Sequence, residues 1–171
     1  HQMLLSKAAC NKIVSNEQSL VDEQEKRSAA ESRIKGQVEK LDSRISSLYN
    51  SLYDHDSAFE SATKKITEME KDQQNLLYDR KEVLKCQGRG HNMSEQLEVI
   101  EKKLYKIEIG IPALHLQRTR EGTSLLTAEK QINELAMQKE DLMIQYKDNM
   151  MRQAEIVERL AAYPNIKTVL M

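Results

Sequence analysis

The sequence predicts an all-α fold in which two long helices form an antiparallel coiled-coil hairpin. Three observations predict it: few turn-forming residues, a seven-residue repeat of apolar side chains, and a glycine pair between two such repeats. The 171 residues are 31% charged and 4% aromatic, and they include only five glycines and two prolines. Because a compact domain of this length needs many turns, this composition favours long helices.

The first helix is predicted over residues 1 to 86. From Ile34 onward, alternating steps of four and three residues fall mostly on apolar side chains, which places them on one face of a slightly underwound helix. Before residue 31 the repeat is looser, because Glu17, Gln24 and Arg27 occupy positions on that face. The predicted core positions are Ile34, Val38, Leu41, Ile45, Leu48, Leu52, His55, Phe59, Ala62, Ile66, Met69, Gln73, Leu76, Arg80 and Val83.

A turn is predicted at residues 87 to 92, because a glycine inside a helix costs about 1 kcal/mol relative to alanine. The second helix is predicted over 93 to 163, with Ser94 as its N-cap and its end before Pro164. Residues 164 to 171 are predicted to form a short tail. The core positions of the second helix are Met93, Leu97, Ile100, Leu104, Ile107, Ile111, Leu114, Arg118, Glu121, Leu125, Ala128, Ile132, Leu135, Lys139, Leu142, Tyr146, Asn149, Gln153, Ile156, Leu160 and Tyr163.

A kink is predicted in the second helix at residues 108 to 113. Pro112 lies inside the repeat, where proline removes a backbone hydrogen bond and clashes with the carbonyl of Glu108. The polar core positions Arg118 and Glu121 follow shortly after. We interpret residues 108 to 124 as a hinge or a docking site for a third element; the alternative is a kink that the fold tolerates.

The two repeats also predict a register. An antiparallel hairpin must pair core residues about a fixed centre, and placing Val83 opposite Leu97 requires no insertion in either helix. At two layers polar core residues then lie opposite each other, which avoids burying them against apolar side chains. Arg80, Gln73 and Lys139 lie opposite apolar residues, which their long stems can cover. The pairs that the register predicts include Glu31 with Asn149, Arg27 with Gln153, Ala62 with Arg118, and Phe59 with Glu121.

The sequence contains no pattern that indicates catalysis, a cofactor or a metal. Its histidines have no metal-ligand spacing, and it lacks a phosphate-binding loop and a nucleophile elbow. We therefore expect that the protein is not an enzyme and interpret His55 as a residue that sets register or partner choice. The candidate partner-binding residues are Arg89 and His91 in the turn, facing an acidic partner, and Pro112, Arg118 and Glu121 near the kink.

Charge and cysteine content restrict the partners and the compartment. Lys and Arg total 26 and Asp and Glu total 27, and such interleaved charge argues against nucleic-acid binding. The sequence has no apolar run long enough to span a membrane. Cys10 and Cys86 lie near opposite ends of the first helix and cannot pair within it, which favours a reducing intracellular compartment: the cytoplasm, the cytoskeleton or the nucleus.

We therefore expect a non-catalytic structural or scaffold protein in a cytoskeletal, centrosomal, ciliary or chromosome-associated complex. Its predicted partners are other coiled-coil proteins, a second copy of the chain, or both. Alternatives are a parallel homodimer, a regulatory module that accepts a partner helix near Arg118 and Glu121, and the coiled-coil arm of a larger ATPase. Apolar residues beside the core predict association into a four-helix bundle: Leu77, Leu84, Val99, Leu126, Met143, Met150 and Val157.

Overall fold

The computed structural model consists of two long helices that pack against each other as a helical hairpin. It describes the backbone from Gln2 to Leu170 and the side chains of residues 7 to 165. Helix α1 spans Gln2–Gly88 and helix α2 spans Ser94–Leu170. The observed turn is therefore one residue shorter than the predicted one. Helix α1 ends two residues after its predicted end, and α2 begins one residue after its predicted start.

Packing divides the chain into two units. The terminal unit contains residues up to Ser46 together with those from Asn133 onward, and the turn unit contains Ser47–Ile132. In both units α1 and α2 run antiparallel. As the residue number rises along α1, the residue number of the contacting partner on α2 falls. The ion pairs Glu23–Arg152 and Asp42–Lys139 show this in the terminal unit. The pairs His55–Glu121 and Arg80–Glu101 show it in the turn unit.

All buried residues among the described side chains lie at predicted core positions. Ile156 has no exposed surface, and Ala62 and Ile66 are nearly as deeply buried. These side chains recur at steps of three and four, so each helix presents one narrow apolar face to the other. The remaining buried residues among the described side chains are Ile34, Leu104, Ile107, Ala128, Ile132, Leu135 and Asn149.

The turn begins with a Schellman motif at the end of α1. The backbone N–H of His91 donates to the Cys86 carbonyl at 3.3 Å, and that of Gly90 donates to the Gln87 carbonyl at 3.1 Å. Gly90 has a φ of 93°, a conformation that side chains disfavour, so glycine is needed there. Gly88, the other glycine of the predicted pair, is the last residue of α1.

Asn92, and not the predicted Ser94, caps α2. The backbone N–H of Ser94 donates to Asn92 Oδ1 at 3.3 Å, and the Ser94 hydroxyl donates to the same oxygen at 2.9 Å. Both residue types are good caps, but only a side chain that precedes the first turn can accept its free N–H groups. Glu95 adds a negative charge near the positive end of the helix dipole.

Both prolines lie inside α2. The helix is continuous through Pro112, and the predicted kink at 108 to 113 stays a prediction. The predicted end at Tyr163 is wrong, because the helix continues through Pro164 to Leu170. Proline disfavours a helical conformation in the residue before it without forbidding one, and its own φ is helical. The side chains from residue 166 onward, in the predicted tail, lie outside the described residues.

Candidate functional site

The candidate partner-binding residues do not form one site. Arg89 and His91 are exposed in the turn, and Pro112 is exposed on α2. Arg118 and Glu121 are half-buried between the helices. A rise of 1.5 Å per residue puts Arg118 roughly 40 Å along α2 from the turn, so the two groups can only contact different parts of a partner.

A polar layer interrupts the apolar core of the turn unit. His55 Nδ1 and Glu121 Oε2 are 2.5 Å apart, across the two helices. The register predicts Phe59 opposite Glu121, but the carboxylate contacts His55, one turn earlier on α1. The Phe59 ring lies instead beside Gly122, where an added Cβ would sit 3.5 Å from its Cε2 atom.

Arg118 makes its hydrogen bond within α2. Its guanidinium nitrogen Nη2 is 3.1 Å from His115 Nδ1, one helical turn away. The residue predicted opposite it, Ala62, is 2% exposed. The small Ala62 side chain leaves room for the aliphatic part of Arg118 to cover the core. The guanidinium group can then reach the edge of the interface between the two helices.

A second polar cluster lies in the terminal unit. Asn149 is 4% exposed, and its Nδ2 donates to the backbone carbonyl of Arg27 at 2.8 Å. Gln153 Nε2 donates to the same carbonyl at 3.2 Å and to Glu31 Oε2 at 3.2 Å. The contact of Gln153 with Arg27 agrees with the predicted register, whereas Glu31 pairs with Gln153 and not with Asn149. Gln153 takes the place expected for Asn149 as the partner of Glu31.

Arg152 forms a bidentate ion pair with Glu23 in the terminal unit, which the sequence did not predict. Its Nε and Nη2 donate to the two carboxylate oxygens of Glu23 at 2.7 and 2.9 Å. These hydrogen bonds hold the pKa of Glu23 below its ordinary value, and they raise the pKa of Arg152. Applying the predicted register to the residues that flank the core would have found this pair.

Glu31 and Lys35 form a neighbouring pair along α1. Lys35 Nζ lies 3.2 Å from Glu31 Oε1 and 5.8 Å from the centre of the Tyr146 ring. Hydrogen bonds from Lys35 and then Gln153 lower the pKa of Glu31. The same Glu31 hydrogen bond raises the pKa of Lys35, with a smaller contribution from Tyr146. Hydrogen bonds thus link Asn149, Arg152 and Gln153 of α2 to α1, and Lys35 contacts the Tyr146 ring.

The described residues of α1 and α2 contain no metal-binding cluster, no disulfide and no membrane-spanning segment. No group of three His, Cys, Asp or Glu side chains in this part of the chain is arranged to hold a metal ion. Cys10 and Cys86 are free thiols. Neither α1 nor α2 contains, within its described residues, a segment apolar enough to cross a membrane.

Exposed apolar side chains are concentrated on α2. Sixteen large hydrophobic side chains among the described residues are exposed; eleven belong to α2 and only five to α1. Three of the five on α1 are tyrosines, whose hydroxyl groups tolerate water. Those on α2 include isoleucine, leucine and methionine, so α2 presents the more apolar outer surface.

Comparison with protein-family models, with curated proteins and with solved structures found no match.

Proposed function

We propose that the chain is a non-catalytic structural or scaffold protein that mediates protein–protein assembly. The apolar outer surface of α2 carries this proposal. Soluble proteins that act alone rarely keep large apolar patches in water, and such patches mark interaction surfaces. The partners are other coiled-coil proteins, a second copy of the chain, or both, and two hairpins joined in a four-helix bundle are one such assembly.

The two helices pack as a left-handed coiled coil in this proposal. The support is the spacing of the buried residues, which holds a mean repeat of 3.5 residues on both helices. Long helices with interleaved surface charge are typical of cytoskeletal, centrosomal, ciliary and chromosome-associated assemblies. We place the protein in one of these complexes, in a reducing intracellular compartment.

Proximity labelling in cells tests the assembly role. The test variant replaces Met137, Ile144 and Met151, exposed at seven-residue intervals on α2, with glutamine. The matched control replaces the exposed Tyr49 and Tyr53 of α1 with glutamine. We expect the wild-type chain and the control to label the subunits of one such assembly, and the test variant to lose most of that labelling.

Two results would contradict the assembly role. One is a labelled set dominated by unrelated soluble enzymes. The other is an identical set for the wild-type chain and the test variant, which would mean that the apolar surface of α2 does not recruit partners. Circular dichroism must first show equal helix content in all three proteins, because loss of folding also abolishes labelling.

A regulatory binding module is a second candidate, favoured by the polar layer at His55 and Glu121. A polar layer in the core costs stability relative to apolar packing, so the helices separate there more readily and a partner helix has a point of entry. Replacing both residues with leucine should remove this entry site, because apolar packing then holds the two helices together. The double variant would then be more stable and bind its partner less well, whereas unchanged partner binding would exclude this module.

A further inference from the structure

Part of the exposed apolar surface of α2 has the spacing of a second coiled-coil face. Within the turn unit, Tyr105, Ile109, Pro112, Leu116 and Leu126 are all exposed, the four large side chains by between 53% and 69%. Thr119 and Thr123 fill the positions between Leu116 and Leu126. The seven residues follow alternating steps of four and three, so they lie on one face, which we call the outer stripe.

The outer stripe lies on the side of α2 away from α1. Leu104 and Ile107, the buried core residues beside it in sequence, are only 8% exposed, whereas Tyr105 and Ile109 are more than half exposed. The spacing continues to Lys102 at one end and Lys130 at the other, so charged residues bound the stripe. It therefore covers 22 residues of helix, or about 33 Å at 1.5 Å per residue.

The corresponding outer face of α1 lacks such a stripe. Only two of its equivalent outward positions in the turn unit carry large apolar side chains, Tyr53 and Tyr78. All eight positions are exposed: Tyr53, Ser57, Glu60, Lys64, Thr67, Lys71, Gln74 and Tyr78. Isolated apolar residues on a surface need no explanation, but a repeated apolar face on one of two helices does. The face on α2 therefore has the pattern of a contact with a further helix.

The charges beside the outer stripe have opposite signs on its two sides. Glu101, Glu108 and Glu129 lie along one edge, and Lys106 and Arg120 lie along the other. Glu101 already contacts Arg80 of α1 at 3.5 Å, but its side chain is 53% exposed and accessible to a partner. The stripe thus has one acidic edge and one basic edge.

These edges distinguish the two ways in which the stripe can pair with a copy of itself. In a parallel pair, unlike edges meet, and Glu101 of each chain lies beside Lys106 of the other. In an antiparallel pair, like edges meet, so that acidic residues face acidic residues and basic residues face basic ones. Exposed charges add little affinity but select orientation, because like charges in contact are unfavourable.

We infer that a second copy of this chain packs in parallel along the outer stripe, α2 against α2. Apolar side chains supply the contact, and the opposite charges of the two edges select the orientation. Because the stripe is short, the dimer forms and dissociates reversibly with concentration. This inference rests on the proposed assembly role but concerns only the partner at this surface, so a purified chain tests it separately.

Sedimentation equilibrium of the full chain over a wide concentration range tests the surface. The test variant is Ile109→Glu combined with Leu116→Glu, and the matched control is Tyr78→Glu, a 65% exposed residue on the outward face of α1. Wild type and control should dimerise alike, whereas the test variant should dimerise at least about tenfold more weakly, since it loses two apolar contacts per chain. Equal helix content by circular dichroism establishes that the variants are folded.

Disulfide crosslinking tests the orientation. Cys10 and Cys86 are replaced with serine, and Ile109→Cys and Leu126→Cys are made separately. In a parallel dimer each residue faces its own copy, so both variants should crosslink efficiently between chains. In an antiparallel dimer the two positions cannot both lie at the symmetry axis, because they are roughly 25 Å apart along the helix.

Three outcomes would overturn the inference. A chain that stays monomeric at every concentration has no self-association surface, although its assembly with other proteins would still stand. A dimer that persists in the Ile109→Glu, Leu116→Glu variant uses a different surface. A dimer in which only one of the two cysteine variants crosslinks has a different orientation.

Discussion

Asn149 of α2 donates a hydrogen bond from Nδ2 to the backbone carbonyl of Arg27 in α1, at 2.8 Å. The side chain is 4% exposed, and its Oδ1 has no hydrogen-bond partner among the described residues. A buried asparagine of this kind costs stability but disfavours other registers, in which it would lose its partner as well. Asn149 therefore helps to fix how the two helices align in the terminal unit.

Asn149→Leu should raise the free energy of unfolding by about 1–2 kcal/mol, because it removes an unsatisfied buried oxygen and adds apolar burial. The Arg27 carbonyl keeps its hydrogen bond from Gln153, so the substitution leaves it satisfied. Glu31 is also unaffected, since Gln153 and not Asn149 is its partner. Thermal and urea unfolding measure the change.

Asn149→Ala is the control for this substitution. This substitution removes the same amide but leaves a cavity, so the alanine variant should be less stable than the leucine variant. If the leucine variant unfolds at a lower temperature than wild type, the asparagine contributes more through its hydrogen bond than it costs through burial.

Acid should destabilise the terminal unit through Glu23 and Glu31. Their pKa values in the folded chain are lowered by Arg152 and by Lys35, respectively. A carboxylate with a lowered folded pKa contributes stability that is complete above its unfolded pKa and is lost as pH falls through the folded pKa. We expect the unfolding temperature to fall as pH drops below about 4.5, near the unfolded value for Glu.

Glu23→Gln should reduce this acid dependence, since the amide cannot lose a charge. Its control is Glu98→Gln, which removes only an exposed contact with Lys102 in the same helix. Unfolding temperatures measured from neutral pH to pH 3 distinguish the two variants. Equal acid dependence in wild type and Glu23→Gln would show that the Arg152 contact contributes nothing to stability.

The His55–Glu121 pair should show energetic coupling. His55→Leu leaves the Glu121 carboxylate half-buried without its partner, and Glu121→Leu does the same to the imidazole, so each single variant should be destabilised. The double variant should be at least as stable as wild type, because apolar packing replaces the polar pair. A double-mutant cycle at neutral pH should give a coupling of about 1 kcal/mol, and additive effects would mean that the contact is not formed in solution.

Two glycines inside the helices should respond differently to alanine. At Gly36 an added Cβ has no neighbour within 4 Å, so Gly36→Ala should stabilise the chain by roughly 0.5–1 kcal/mol. At Gly110 the added Cβ would lie 2.7 Å from Met69 Cε, so part of that gain is lost when the methionine shifts. An equal rise in unfolding temperature for the two alanine variants would mean that Met69 shifts without a cost in free energy.

The sequence by itself determined that two long helices are joined by a turn at the glycine pair, and which residues form the core. Each follows from a local rule that repeats along the chain: a mean spacing of 3.5 residues keeps one face in contact, and glycine is needed where the backbone turns back. Ile66, Leu135 and Ile156 are buried where this rule puts them. Leu126 is predicted beside the core, but it is exposed on the side of α2 away from α1.

Only the tertiary structure decided which group each polar side chain contacts. A register fixes which turns of the two helices face each other, but a long side chain can reach a turn in either direction. Glu121 therefore pairs with His55, Gln153 takes Glu31, and Asn149 reaches a backbone carbonyl. The sequence offers several partners within reach of each of these groups, and the packed helices select the one that satisfies its hydrogen bonds.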